Sequence, residues 1–182
     1  MTTGPERSVV ITGGPGSGKS TLIEHLGALG FASSPEVGRA VIRDQTAIGG
    51  RALPWRDPDL FAEVMLSWEI RAHGLAAAFG ATVLFDRGVV DVAGYLRVAG
   101  RPVPEHVHAA ARRFRYHRTV FIAPPWPEIY RTDTERRQSP DEAERTHAAM
   151  VDAYTEYGYD LVELPRAPVA ERARFMSAQL AG

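Results

Sequence analysis

The chain has 182 residues, a length that suits one globular domain with a single core. Hydrophobic residues make up 45% and charged residues 24%, which excludes wholesale disorder. A formal net charge of -1 is too balanced for a generic nucleic-acid binder. Because the chain has no cysteine, disulfides, cysteine-zinc sites, iron–sulfur clusters and cysteine nucleophiles are all excluded.

The sequence predicts no membrane segment. Its longest apolar stretch is far shorter than the roughly 20 residues that a spanning helix needs, and its first residues lack the apolar part of a signal peptide. We therefore expect no membrane partner and a cytoplasmic location.

Short apolar runs alternate with helical patterns, which is typical of a parallel α/β sheet. The predicted strands are 8–12, 31–34, 82–86, 119–123 and 159–164. The longer predicted helices are 19–29, 36–48, 58–79, 139–157 and 169–180. Shorter helices are predicted between the third and fourth strands, and a polar helical stretch over 128–138. Asp57 and Ser139, each followed by proline, are predicted N-caps.

A glycine-rich segment connects the first strand to the first helix. It reads Gly13-Gly14-Pro15-Gly16-Ser17-Gly18-Lys19-Ser20. Glycines at this spacing let consecutive N–H groups point at phosphate oxygens, and the helix N-terminus adds its positive dipole end. We expect this segment and Thr21 to bind the phosphates of a nucleotide. Lys19 would reach the β- and γ-phosphates, and Ser20 would ligate Mg²⁺.

This segment resembles the phosphate-binding loop of P-loop NTPases. Lys19 is the only lysine beside 20 arginines, and a compact ammonium suits this loop better than a guanidinium. The guanine-reading Asn-Lys-x-Asp loop of GTPases is excluded, because the chain has no asparagine and its lysine is already used. The size and five strands favour a small-molecule kinase that uses ATP.

The third predicted strand ends in Asp86, followed by Arg87. An acid at the carboxyl edge of the sheet beside the P-loop can hold Mg²⁺ and serve catalysis. The pair resembles the Asp-Arg pair of nucleoside and nucleotide kinases, which implies substrate binding by Arg87. The alternative for Asp86 is a cap for the next helix. Asp91 faces either the acceptor pocket or the surface of that helix.

Glu36 follows the second predicted strand. Deoxynucleoside-kinase-like enzymes have a glutamate there that accepts the proton of the substrate hydroxyl, so Glu36 is our candidate general base. Arg39 and Arg43 lie one and two turns further and are candidate substrate ligands, unless they form surface ion pairs. Trp55, in a loop between two helices, either stacks on a substrate ring or anchors its loop.

Three arginines, Arg131, Arg136 and Arg137, follow the fourth strand in a polar segment. P-loop kinases have a lid here whose arginines neutralise the transferring phosphoryl group. We therefore predict a lid over about 126–140, with Arg136 as its catalytic arginine and the other two binding the nucleotide. A solvated helix face is the alternative.

The P-loop, Glu36, Trp55, Asp86 and the segment around Trp126 are together similar to a group of small bacterial AAA-domain ATPases. That group is related to the ribosylnicotinamide-kinase domain of NAD-salvage proteins. The resemblance implies one three-layer α/β domain over 1–182. It implies a five-stranded parallel sheet of order 2-3-1-4-5, with helices on both faces and a helical lid. It also implies ATP and Mg²⁺, but no particular substrate.

The sequence thus predicts a kinase that transfers the γ-phosphoryl group of ATP to a hydroxyl of a nucleoside-like or antibiotic-like metabolite. One rival is a nucleotide-dependent ATPase or switch that acts on a protein partner. Another is an RNA-end kinase, suggested by the arginines within 112–118. Cations are expected at a helix C-terminus in any case, so we expect no nucleic-acid partner. The oligomeric state is left open.

Overall fold

A computed structural model describes residues 5–129 and 139–181. Its five strands form one parallel sheet in the order β2-β3-β1-β4-β5. The strands are β1 Ser8–Gly13, β2 Ala32–Ser34, β3 Val83–Asp86, β4 Thr119–Ala123 and β5 Asp160–Glu163. The predicted fold class and strand order are therefore confirmed.

Helices cover both faces of this sheet. The helices are α1 Lys19–Ala28, α2 Val37–Ala47, α3 Pro58–Ala76, α4 Val89–Val98, α5 Glu105–Arg113, α6 Pro140–Glu156 and α7 Val169–Ala181. Successive strand residues point to opposite faces, so the sheet feeds two cores. Val10 and Phe85 belong to the core under α2 to α6, whereas Val9, Ile11 and Leu84 pack with α1 and α7.

The strand sequences explain their places in the sheet. The central strand β1 is covered on both faces, and it reads as an unbroken apolar run from Val9 to Ile11. At one edge, β2 is only three residues long and carries two serines, which limits pairing of that edge with other chains. The carboxyl ends of β1 and β3 lie side by side, since Ile11 pairs with Asp86.

Both predicted caps are present. The Asp57 carboxylate accepts a hydrogen bond from the Leu60 N–H at 3.1 Å, and the Ser139 hydroxyl accepts one from the Glu142 N–H at 3.2 Å. In each case proline occupies the next position, where no amide hydrogen is needed.

Two helical predictions differ from the structure. Helix α3 ends at Ala76, three residues before the predicted end, because its buried face stops there and Phe79 is exposed. The polar stretch predicted as helical begins instead with a single 3-10 turn, Pro127–Ile129. The remainder of that stretch, 130–138, lies outside the described residues.

Candidate functional site

The loop between β1 and α1 has a backbone that requires glycine. Gly13 and Gly18 have φ angles of 127° and 76°, in the region that L side chains rarely adopt. A Cβ on Gly13 would lie 2.4 Å from the Ala123 carbonyl oxygen, and one on Gly14 would lie 2.5 Å from that of Ala143. The loop is therefore held tightly between β4 and α6, with its amides available to a bound anion.

Lys19 is folded over this loop. Its side chain is 6% exposed, and Nζ donates to the carbonyl oxygens of Gly14 at 2.8 Å and Gly13 at 3.3 Å. It also donates to the Ser17 hydroxyl at 3.4 Å. Burial and the positive charge of Arg87 lower the pKa of Lys19 to about 8 despite nearby carboxylates. Phosphate oxygens would restore a fully charged lysine.

Asp86 and Ser20 form a pair of oxygen ligands at the end of β3. The Ser20 hydroxyl donates to Asp86 Oδ2 at 3.4 Å. The other carboxylate oxygen, Oδ1, is buried with no hydrogen-bond partner among residues 5–129 and 139–181. Burial raises the pKa of Asp86. A carboxylate oxygen without a partner beside a hydroxyl fits Mg²⁺. This ion usually binds to one or two protein oxygens and completes its coordination with water and phosphate oxygens.

The alternative role of Asp86 as a helix cap is wrong. Helix α4 begins at Val89, and its N-cap is Gly88. The side chain that reaches the N-cap amide is that of Asp91, which accepts a hydrogen bond from the Gly88 N–H at 2.9 Å.

Arg87 links two carboxylates at the same edge of the sheet. Its Nε donates to Glu36 Oε1 and its Nη1 to Asp91 Oδ1, each at 3.3 Å. Burial alone would lower the pKa of Arg87, but the two carboxylates raise it above its usual value. Of the described residues other than glycine, only Arg87 has a positive φ, 74°. The ion pairs therefore stabilise a strained backbone.

Glu36 accepts from two arginines and is ionised. It is the N-cap residue of α2, but its carboxylate makes no cap bond. Instead it contacts Arg87 and the Arg39 Nε, the latter at 2.9 Å. Burial tends to raise the pKa of Glu36, but Arg87, Lys19 and Arg39 outweigh burial and lower it. The electrostatic surroundings therefore favour the charged form.

Asp91 has both of its oxygens engaged. Besides Arg87 and the Gly88 amide, it accepts from the Thr12 hydroxyl at 2.5 Å and the Tyr154 hydroxyl at 2.6 Å. These donors come from β1, the turn after β3 and α6. Asp91 lies on the predicted pocket, but these contacts favour a positioning role over contact with an acceptor.

One cavity of about 1550 Å³ connects these groups. Apart from Gly13, Gly14 and Asp86, all the predicted site residues within the described ranges line it. Its lining includes Pro15, Gly16, Ser17, Gly18, Lys19, Ser20, Thr21, Glu36, Arg39, Arg43, Trp55, Arg87 and Asp91. The structure thus brings the predicted phosphate-binding and substrate-binding residues to one place.

Trp55 lies on the rim of the cavity. Its side chain is 70% exposed, whereas its neighbours Ala52 and Leu53 are buried and anchor the loop. The anchor alternative for Trp55 is therefore wrong. Arg43 is also on the rim, largely exposed and paired with Asp44 at 3.3 Å.

The three predicted lid arginines, Arg131, Arg136 and Arg137, lie outside the described residues. Their roles stay predictions. Within the described part of the chain, no helix is long and apolar enough to cross a membrane.

Two buried charged residues that line the cavity, Glu69 and Arg172, are not among the residues predicted from the sequence. Glu69 had a signal, since an acid interrupts the apolar face of α3. Arg172 had none, because its partner is distant in sequence. Its Nη1 donates to the Gly18 carbonyl oxygen at 3.4 Å, and its guanidinium carbon lies 5.7 Å from the Trp126 ring centroid.

The sheet order and the glycine-rich loop are those of a P-loop NTPase. The family model described as AAA domain (AAA_28) matches residues 8–172, and the chain belongs to this family. The sequence matches no curated protein.

Solved kinases share the fold at low sequence identity. A deoxyadenosine kinase from M. mycoides, with products dCMP and a flexible dCDP bound, superposes with a TM-score of 0.66 at 15% identity. The match covers 96% of this chain and 98% of that one. Shikimate kinase from Acinetobacter baumannii, in complex with shikimate, gives 0.56 at 14% identity, over 96% and 93% of the two chains.

The lowered pKa of Lys19 predicts how nucleotide binding depends on pH. Above about pH 8 the free protein loses the Lys19 proton and must regain it to bind phosphates. ADP is fully ionised in this range. The affinity of the protein for ADP, measured by calorimetry without Mg²⁺, should therefore fall above about pH 8, by up to about tenfold per pH unit. The Lys19→Ala variant should bind more weakly and without this slope; an equal slope in the variant would contradict the assignment.

The contacts of Asp91 predict a large effect on stability. Asp91→Asn removes the charge that faces buried Arg87 and should lower the free energy of unfolding by about 2–4 kcal/mol. Tyr154→Phe removes one donor to the same carboxylate and should cost about 1 kcal/mol. Urea denaturation measures both. An Asp91→Asn protein of wild-type stability would instead support direct contact between Asp91 and the acceptor.

Proposed function

We propose that this protein is an ATP- and Mg²⁺-dependent kinase that phosphorylates a hydroxyl group of a small metabolite. The observation that carries the proposal is the position of Glu36. An ionised carboxylate, held by two arginines, lies on the same cavity as Lys19 and the P-loop. A simple ATPase or switch needs the P-loop, but it has no need of a fixed base beside a second, largely apolar compartment.

The nucleotide end of the cavity would bind and neutralise the phosphates. P-loop amides and Lys19 would hold the β- and γ-phosphates, and Asp86 and Ser20 would hold Mg²⁺. The metal ion, when bound, supplies positive charge that stabilises the phosphate oxygens in the transition state. Arg172 lies against Gly18 at this end and adds a further positive charge.

Glu36 would orient the acceptor. It accepts a hydrogen bond from the acceptor hydroxyl, whose oxygen then forms a bond to the γ-phosphorus. The bond between that phosphorus and the bridging oxygen breaks, and ADP leaves with this oxygen. A carboxylate of lowered pKa suits this step, because in a loose transition state the hydroxyl gives up its proton late. The proton passes to Glu36 and then to solvent.

The acceptor end of the cavity favours a molecule with an apolar or aromatic part. Ile42, Phe61, Met65, Val92 and Tyr95 line it. The similar structures act on a deoxynucleoside in one case and bind shikimate in the other. We infer that a nucleoside-like acceptor fits better than a wholly polar sugar.

The contacts of three arginines in the basic patch support the kinase proposal over the RNA-end alternative. Arg112 pairs with Glu105, and Arg118 pairs with Asp160. Arg115 donates to the Tyr157 carbonyl oxygen and stacks over a tyrosine ring. These arginines therefore have local structural partners.

Replacing the proposed base tests the function. Glu36→Gln keeps the shape of the side chain but cannot take the proton, so phosphoryl transfer should slow by about 10²-fold or more. The variant also removes a charge that faces Arg87, so its free energy of unfolding should fall as in Asp91→Asn. In the folded protein, however, ADP affinity should stay within about threefold because the P-loop residues are unchanged. Coupled-enzyme turnover and calorimetry measure transfer and ADP affinity. Glu24 is exposed on α1 and provides the matched control. The Glu24→Gln variant should have wild-type turnover. Normal transfer in Glu36→Gln would move the base role to Asp86.

A further inference from the structure

Glu69 is a buried acid that neither the fold nor the proposed transfer step uses. It lies on α3, its side chain is 5% exposed, and it lines the acceptor end of the cavity. Within the described residues, no side chain or backbone amide donates a hydrogen bond to its carboxyl group. A buried polar group without a partner destabilises the folded state. Stability therefore does not explain an acid at this position.

Apolar side chains line the cavity beside Glu69. Phe61, Met65 and Glu69 lie at four-residue intervals on α3, so they share one helix face, and all three line the cavity. The Phe61 ring packs edge-on against Tyr95, with centroids 5.2 Å apart. Trp55 lies on the rim of the same cavity. This lining suits an aromatic ring.

A second polar atom in this compartment also lacks a partner. The Tyr95 hydroxyl is buried without a hydrogen-bond partner among the described residues. Burial raises the pKa of Tyr95 to about 12, so the hydroxyl keeps its proton. A buried hydroxyl without a partner and a carboxyl group that faces the same cavity together indicate that a ligand supplies hydrogen bonds here.

The electrostatic surroundings of Glu69 favour the neutral acid. Burial raises its pKa well above the usual value, and the negative charges of Asp91, Asp86 and Glu36 add to this effect. Arg87 acts in the opposite direction but is already paired with two carboxylates. A neutral carboxyl group donates one hydrogen bond through O–H and accepts another through its carbonyl oxygen.

We propose that Glu69 recognises the phosphoryl acceptor, and that this acceptor carries an uncharged heteroaromatic ring with an acceptor nitrogen beside an amino group. The O–H of Glu69 would donate to the ring nitrogen, and its carbonyl oxygen would accept from the amino group. Phe61, Met65 and Tyr95 would enclose the ring. The inference rests on the proposed kinase function and names the substrate class for that function.

Three variants separate this role from a structural one. Glu69→Gln keeps a donor beside an acceptor, whereas Glu69→Leu keeps the size and removes both. Glu63→Gln is the control, because Glu63 is an exposed acid on the same helix. The probes are deoxyadenosine and deoxycytidine, whose rings carry an acceptor nitrogen beside an amino group, and purine deoxyriboside, which lacks the amino group. Kanamycin, a polycation, and shikimate, which has no such ring, complete the panel.

We expect the wild-type protein to phosphorylate deoxyadenosine or deoxycytidine. If deoxyadenosine is the substrate, its KM should be at least about tenfold lower than that of purine deoxyriboside, which lacks the amino group. Glu69→Leu should raise KM at least about tenfold while kcat stays within about threefold. Glu69→Gln should stay within about threefold of wild type, like Glu63→Gln. Glu69→Leu should also unfold at a higher temperature and bind ADP normally, because it removes an unpartnered buried polar group.

Several results would overturn the inference. The inference is wrong if the protein phosphorylates neither deoxyadenosine nor deoxycytidine. It is also wrong if Glu69→Leu has the same KM as the wild-type protein. An equal loss in Glu69→Gln and Glu69→Leu would point to an ionised carboxylate that binds a cation. If kanamycin or shikimate is phosphorylated in a Glu36-dependent way and neither nucleoside is, the kinase proposal stands and this inference fails. If nothing in the panel is phosphorylated, the inference fails with the function on which it rests.

Discussion

Arg87 is buried between the carboxylates of Glu36 and Asp91, and the arrangement of the site depends on these two ion pairs. A guanidinium in this position would be costly without both partners. The pairs join the start of α2, the end of β3 and the first turn of α4, and Thr12 and Tyr154 extend the contact to β1 and α6. The residue that holds the network also has a strained backbone, as is common at functional sites.

Two chemically different groups of residues line the cavity beside this network. On one side, Lys19, the P-loop amides and the Asp86–Ser20 pair form a polar end, which we propose binds phosphates and a metal ion. On the other, Phe61 and Met65 form an apolar compartment. Glu36 lies on the same cavity, which is consistent with its proposed role in activating the acceptor. Several buried charges and the buried acid Glu69 reduce the stability of this region, as is usual at a functional site.

The sequence predicts the parts of this site that local patterns specify. The P-loop follows from its glycine spacing, and Asp86 follows from an apolar strand that ends in an acid. Helix caps at Asp57 and Ser139 follow from their own neighbours. The hydrogen bonds of Asp91 to Thr12 and Tyr154 and the contact between Arg172 and Gly18 do not, because they join residues from distant parts of the chain. Such contacts depend on the packed fold and leave no local pattern.

The most direct measurement is a ³¹P NMR spectrum of the wild-type protein with ATP, Mg²⁺ and an equimolar mixture of candidate acceptors. We expect a new phosphomonoester signal that grows in step with ADP, with little inorganic phosphate. Growth of ADP together with inorganic phosphate alone, unchanged by any acceptor, would contradict the central claim and identify the protein as an ATPase.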